Sequence, residues 1–308
     1  IPVATHATVA STSATSTTSS PPTTSQSSHT SSPSYIFSST LLQSGYGSFV
    51  FEQDGVNEKK PITVYSYVPP EATANSPILI VMHGVGRNAI SYRASWVSTA
   101  NARNVIVLTP HFAEDLYPDG YGYQLGNMYT KERVLNPESQ WAFSMIDSIF
   151  ERVVSTSNSV ATQYDLYGHS AGGQFVHRLV EFYPQAKFRK AIAANAGWYT
   201  FPSFQIAYPY GLQNSPTNDV KLSRAFSRDF TILLGGKDVD PNDDQMNRSV
   251  QAVAQGVHRL VRGQNFFNAA QNEAMVRGFS FAWKLQTVPN AVHSNSQMVS
   301  AAADILYP

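Results

Sequence analysis

Gly168-His169-Ser170-Ala171-Gly172 constrains the fold of this 308-residue chain more than any other stretch. It follows the short apolar run Tyr164–Tyr167 and precedes a helical pattern over Gln174–Tyr183. Small residues two positions either side of a serine fit a tight strand-to-helix turn, which has no room for bulky neighbours. Such a turn lifts the hydroxyl clear of the sheet. The helix that follows points its free amides and its positive end at the same place. The pentapeptide alone is common, and it is the flanking strand and helix that make it informative.

The rest of the chain supplies the same alternation. Ser48–Glu52 and Ile62–Val68 read as strands, an antiparallel start. Ile78–Met82 and Val105–Leu108 are continuous apolar runs, as expected of strands buried on both faces. Ser91–Arg103 reads as a helix. Pro137 opens a long one through Val154, with Trp141, Met145, Ile149 and Val153 on one stripe. Ala191–Ala194 and Thr231–Leu234 are further strands. A helix over Gln264–Arg277, a strand over Phe281–Val288 and a closing helix over Gln297–Leu306 complete the pattern. The fold class is therefore α/β, with a mainly parallel central sheet and helices on both faces. Function is expected at the carboxyl ends of the strands. Two long aromatic-rich segments follow strands, residues 111–136 and 199–218, and are candidate substrate walls.

Residues 1–34 are dominated by Ser, Thr and Pro and cannot bury enough apolar surface to offset ordering entropy. They read as a disordered tail or linker, open to O-glycosylation, and favour secretion. Residues 35–308 suit one catalytic domain. No apolar run is long enough for a signal peptide or a membrane span. There is no cysteine, so redox chemistry gives no compartment. Lys plus Arg equal Asp plus Glu, and only 14% of residues are charged. That balance argues against nucleic acid or an anionic membrane as partner. It suits a small-molecule or polymeric substrate that is uncharged or hydrophobic, handled by a monomer.

A serine hydroxyl needs a base. Of the eight histidines, His6 and His29 lie in the tail, His83 and His169 inside backbone motifs, and His177 further along the helix. His111 and His258 remain possible. His293 is the leading candidate, because it sits in the short loop between the last strand and the closing helix. An orienting carboxylate belongs after the preceding strand. There Gly235-Gly236-Lys237-Asp238-Val239-Asp240 offers Asp238, with Asp240 as runner-up and Asp243 and Asp244 as solvated charges. This acidic loop does not match a calcium-binding loop, since Asp243 stands where the turn glycine belongs and Ser249 where the closing glutamate belongs. No metal is expected. Donors for a developing oxyanion are expected from the Ala171 amide and, in the loop His83-Gly84-Val85-Gly86, from Val85, with Gly86 as the alternative. Trp198, Tyr199 and His169 are candidate substrate contacts. Asn247-Arg248-Ser249 matches an N-glycosylation sequon.

Together His83-Gly84, Tyr92, Trp96, Gly168–Gly172, Asp238 after Gly235-Gly236, and His293 resemble the α/β-hydrolase serine esterases, in the group with polyhydroxyalkanoate depolymerases and feruloyl esterases. Stretches such as Asn136–Trp141 and Ala194–Tyr199 are also similar to uncharacterised bacterial hydrolases. The resemblance spans about residues 45–308. It implies ester hydrolysis through an acyl-enzyme, on a substrate such as polyhydroxybutyrate, without a cofactor. The chain departs from many secreted depolymerases in having no cysteine. Two other readings remain: a serine peptidase or amidase on the same fold, and a binding protein that keeps the fold without turnover.

Overall fold

The computed structural model describes residues 36–53 and 60–308, so the expected tail over residues 1–34 lies outside the described residues. Eight strands form one sheet: β1 (Gly45–Phe51), β2 (Ile62–Val68), β3 (Ile78–Met82), β4 (Ile106–His111), β5 (Tyr164–His169), β6 (Phe188–Ala194), β7 (Phe230–Gly235) and β8 (Lys284–Val288). Their spatial order is β1-β2-β4-β3-β5-β6-β7-β8. β2 runs antiparallel to both β1 and β4, and every pairing from β4 to β8 is parallel.

The order explains where a site can form. From β3 the chain steps to β4 on one side and then returns to β5 on the other. The connections above β3 and β5 therefore diverge and leave a crevice at their carboxyl ends. Met82 pairs with Gly168 in register, which sets His83 beside His169 and Ser170.

The apolar runs are continuous because both faces of the sheet are covered. On β3, Ile78, Ile80 and Met82 pack into one core, and Leu79 and Val81 into the other. That split is the two-residue period of a strand read against two layers. Over the second face lie α1 (Ala89–Arg103) and α8 (Asn295–Leu306), with Trp96 and Met298 fully buried. Over the first lie α3 (Ala142–Ser155), α4 (Ala171–Phe182), α5 (Asp219–Phe226) and α7 (Arg259–Arg277). Two short helices, α2 (Asp119–Gly122) and α6 (Val250–Ala254), belong to the loops above the sheet.

The helix expected to open at Pro137 is interrupted. A 3-10 turn over Glu138–Gln140 ends at Trp141, whose backbone is extended (φ −70°, ψ 139°), and α3 starts only at Ala142. Tertiary contacts hold the break. The Trp141 indole N–H donates to Asn136 O (2.8 Å), and the Ala142 amide donates to Gly126 O (2.7 Å). The predicted stripe survives: Trp141, Met145, Ile149 and Val153 are all buried. Among the described residues no helix is long and apolar enough to cross a membrane.

Candidate active site

Ser170 sits at φ +58°, ψ −116°, between the end of β5 and the first turn of α4. A side chain at positive φ is strained, and such strain persists only where the surroundings enforce it. Here they do. A Cβ on Gly172 would lie 2.1 Å from the Met82 carbonyl oxygen, and one on Gly168 would lie 2.2 Å from the Gly172 oxygen. The two glycines let α4 press against β3 and β5, and that close packing forces the turn at Ser170. The Ser170 amide donates to Ala194 O (2.9 Å), pinning the turn to the neighbouring strand.

His293 lies within reach across the crevice. The Ser170 Oγ–H donates to His293 Nε2 at 3.0 Å, and His293 Nδ1–H donates to Asp238 Oδ2 at 2.7 Å. A carboxylate only accepts, so the short Asp238 contact fixes the proton on Nδ1 and leaves Nε2 free to accept. Asp238, not Asp240, is the acid in place: its side chain is 3% exposed. The two glycines before it bring it there. A Cβ on Gly236 would meet Pro289 O at 2.5 Å and one on Gly235 would meet Ala291 O at 2.6 Å, so the turn after β7 rests on the loop that carries His293. Asn195, at φ +45°, ties both turns to β6, accepting from the Gly235 amide (2.6 Å) and donating to Val292 O (3.4 Å).

The second oxygen of Asp238 meets a cation that the sequence did not advertise. Arg259, at the start of α7 and only 2% exposed, reaches Asp238 Oδ1 (3.3 Å) with one nitrogen and Asp243 Oδ1 (2.8 Å) with the other. Asp243 is thus an ion-pair partner, not a solvated loop charge. The hydrogen bond from Arg259 holds its carboxyl below the usual carboxylate range. Among the described residues, no group of three or more His, Asp or Glu side chains is placed to hold a metal ion.

The loop after β3 closes over the serine. A Cβ on Gly84 would come 3.8 Å from the Ser170 Cβ. Its supports lie beneath. His83 Nδ1–H donates to Gly84 O (2.9 Å), and its Nε2 accepts from the Phe112 amide (3.2 Å). Burial pushes the His83 pKa down to about 3, so this bridging imidazole is neutral. Tyr123 donates to His83 O (2.7 Å). Arg87 donates to Phe112 O and Tyr117 O, pairs with Glu114 (2.8 Å) and lies over the Tyr123 ring (4.6 Å). The loop is therefore clamped to the residues after β4.

A cleft of about 340 Å³ opens at Ser170. Val85, Gln124, Ala171, Gln174, Trp198 and Arg259 are among its lining residues. The volume lies within the range of small-ligand pockets.

No family model matches the chain, and no curated protein sequence matches it. Solved structures do. A poly(aspartic acid) hydrolase from Sphingomonas sp. KT-1 is 41% identical, with a TM-score of 0.83, over 87% of this chain and 100% of that one. A poly(3-hydroxybutyrate) depolymerase from Bordetella parapertussis is 31% identical, with a TM-score of 0.81, over 86% and 90%. The chain belongs to their family, the α/β-hydrolases. An S-formylglutathione hydrolase from Agrobacterium tumefaciens, 17% identical with a TM-score of 0.55, shares the fold over 88% of this chain and 97% of that one.

Three expected substrate contacts of this α/β-hydrolase fare differently. Trp198 does line the cleft. Tyr199, its neighbour, points the other way: it is fully buried, with its ring stacked on Phe266 at 4.5 Å and 5.0 Å from His177. His169 is also buried. Its Nδ1 meets the Tyr92 hydroxyl at 3.0 Å and its ring lies 4.8 Å from the His293 ring. It backs His293 and is not among the residues that line the cleft. Burial, reinforced by the nearby His293 and Arg259 charges, holds its pKa well below the ordinary histidine value.

Sequence reading of the hydrolase also missed Arg178. This fully buried guanidinium donates to Thr200 Oγ1 (2.9 Å), Gln124 O (3.1 Å) and Gln174 O (3.1 Å), and its Cζ lies 4.2 Å from the Trp198 ring centre. One cation thus fixes three parts of the cleft wall. Burial lowers its pKa to about 10, still charged at neutral pH. No local pattern marks a buried arginine, because its periodicity on α4 is that of any core position.

Proposed function

We propose that this hydrolase cleaves carboxylic esters through an acyl-enzyme on Ser170, and that hydroxyacid polyesters such as polyhydroxybutyrate are its substrate class. The observation that carries the reading is the hydrogen-bonded series Ser170–His293–Asp238, at 3.0 and 2.7 Å.

In this reading His293 Nε2 takes the serine proton as Oγ attacks the ester carbonyl. Asp238 holds the ring and offsets the charge of the imidazolium. The Ala171 and Val85 amides donate to the oxyanion of the tetrahedral intermediate. As the intermediate collapses, His293 returns the proton to the departing alcohol. Water, deprotonated by His293, then attacks the acyl-serine, and His293 returns that proton to Ser170 Oγ as the acid leaves.

A second reading is an amide hydrolase for a polyanion, because the 41% identical relative is named for poly(aspartic acid). The cleft disfavours it. The cation among its lining residues, Arg259, is already shared by Asp238 and Asp243, and Asp244 adds negative charge. A neutral ester chain meets no such opposition. We also propose secretion, supported by the composition of residues 1–34.

The test is turnover of a short p-nitrophenyl ester beside the matching anilide, with wild type and Ser170→Ala. Ester turnover that falls by several orders of magnitude in the variant supports the reading. Near-normal activity of the variant, or an anilide cleaved faster than the ester, refutes it. Clearing of a polyhydroxybutyrate film tests the substrate class.

A further inference from the structure

A second cavity, of about 250 Å³, lies between the two long segments after β4 and β6. Tyr121, Tyr129 and Arg133 wall it from one segment, and Tyr208, Pro209 and Gln213 from the other. Its volume is below the ~300 Å³ at which drug-sized ligands begin to fit, so it takes a single short chain end.

The rings are fixed in place. Tyr129 and Tyr208 have ring centroids 5.0 Å apart. Their hydroxyls are spent on backbone, Tyr129 on Asn214 O (3.0 Å) and Tyr208 on Leu125 O (3.5 Å). What they offer a ligand is therefore ring surface, not hydrogen bonds. Arg133 differs: it is exposed, and its guanidinium has no ion-pair or hydrogen-bond partner among the described residues. An arginine beside an apolar wall is suited to a carboxylate on an otherwise uncharged chain.

The cavity and the serine cleft have different lining residues, but those residues are neighbours in chain and in packing. Gln124 lines the cleft and Tyr121 the second cavity, on one turn closed by the Leu125 amide donating to Gly120 O (2.9 Å). Trp198 of the cleft packs with Leu125, Tyr121 and Tyr210, its ring 4.6 Å from that of Tyr210. Tyr210 directly follows Tyr208 and Pro209 in the chain.

We propose that this cavity is a distal subsite for the carboxylate-terminated end of a hydroxyacid oligoester, with Arg133 pairing the carboxylate and the tyrosine rings covering the chain. The proposal rests on the ester reading above. It also fixes a direction. In a hydroxyacid oligomer the alcohol half of every ester carries the chain toward the free carboxylate. A subsite that holds that end therefore lies on the leaving-alcohol side of Ser170, and the fragment it holds is the first product released.

Binding tests it without turnover. In a Ser170→Ala background, calorimetric titration compares the linear trimer of 3-hydroxybutyrate with its methyl ester. The acid is expected to bind about two- to fivefold more tightly. Arg133→Gln is expected to erase that preference by weakening the acid alone, and Tyr129→Ala to weaken both ligands. Equal affinity of acid and methyl ester in the Ser170→Ala protein, no measurable binding of either, or a preference that survives Arg133→Gln overturns the subsite. Failure of the ester reading shows separately, as a wild-type protein without turnover of p-nitrophenyl acetate.

Discussion

His169 gives the most direct handle on how the site is layered. Burial keeps it neutral in the folded chain, whereas the unfolded chain protonates it once the pH drops through about 6.5. Its contribution to stability is therefore full above that pH and is lost as the pH falls toward the lowered folded value. Protonation of one free imidazole favours the unfolded chain by less than ~0.1 kcal/mol at pH 7.5 and by about 1.4 kcal/mol at pH 5.5. His83 and His177 act in the same sense, and Glu181, Asp147 and Asp165, all raised by burial, in the opposite sense. These contributions are common to wild type and a His169→Asn variant and cancel between them. The variant, whose side-chain amide can still meet Tyr92, is expected to be less stable at pH 7.5. The gap to wild type should then shrink by about 1.4 kcal/mol at pH 5.5. Urea unfolding followed by tryptophan fluorescence at the two pH values measures it. Parallel pH dependence in the two proteins would refute the assignment of His169 as a buried neutral group. Kinetics add a second criterion: a residue behind His293 alters kcat, so a tenfold change in KM with kcat intact would place it on the substrate side.

Two further outcomes follow from the same geometry. Asp238→Asn should lower kcat on a short ester by roughly 10⁴-fold with the fold retained, because the amide no longer stabilises the imidazolium or fixes the ring proton, while Asp240→Asn stays near wild type; equal losses in both would reopen the choice of acid. Gly172→Ala should destabilise the protein by about 3 kcal/mol or more in urea unfolding, since the added carbon would stand 2.1 Å from a backbone oxygen that no rotamer can move, and a loss under ~1 kcal/mol would show that α4 can shift.

The layered sheet was legible because strands buried on both faces read as unbroken apolar runs, and β3 and the start of β4 fall where those runs lie. Ser170, Asp238 and His293 were legible for a related reason: each follows a recognisable strand, so chain order alone carries them to one edge of the sheet. What escaped was set by tertiary contacts. The break at Trp141 depends on two hydrogen bonds to distant backbone, and α5, eight residues long, begins directly after the Gly-, Pro- and Asn-containing segment 199–218 and was not read from the sequence. Facing was the other gap. Trp198 and Tyr199 have the same local signal, and only the packing of Phe266 decides which of them turns inward. Arg178 and Arg259, both buried, were hidden because arginine ordinarily marks a surface.

Arg259 shows why such a hidden residue matters to the chemistry. With Asp238 accepting from His293 through one oxygen and from Arg259 through the other, the carboxylate cannot rotate away from the ring. An arginine beside the acid would by itself oppose the positive charge that His293 acquires in the proposed mechanism. Asp243 removes that objection. Before reaction the group holds two carboxylates, one guanidinium and a neutral imidazole, a net charge of −1. Proton transfer from Ser170 brings the group to neutrality at the moment the oxyanion forms on the other side of the ring. Were Asp243 absent, the same transfer would leave a net positive cluster sharing a mostly buried site, which Coulomb's law makes less favourable at low effective dielectric. The influence is mutual: after the hydrogen bond from Arg259 and the Gln245 amide, charge on Arg259 and His293 is among the things that hold Asp243 ionised. A loop aspartate that no motif singles out thus sets the electrostatic balance in which the candidate base works.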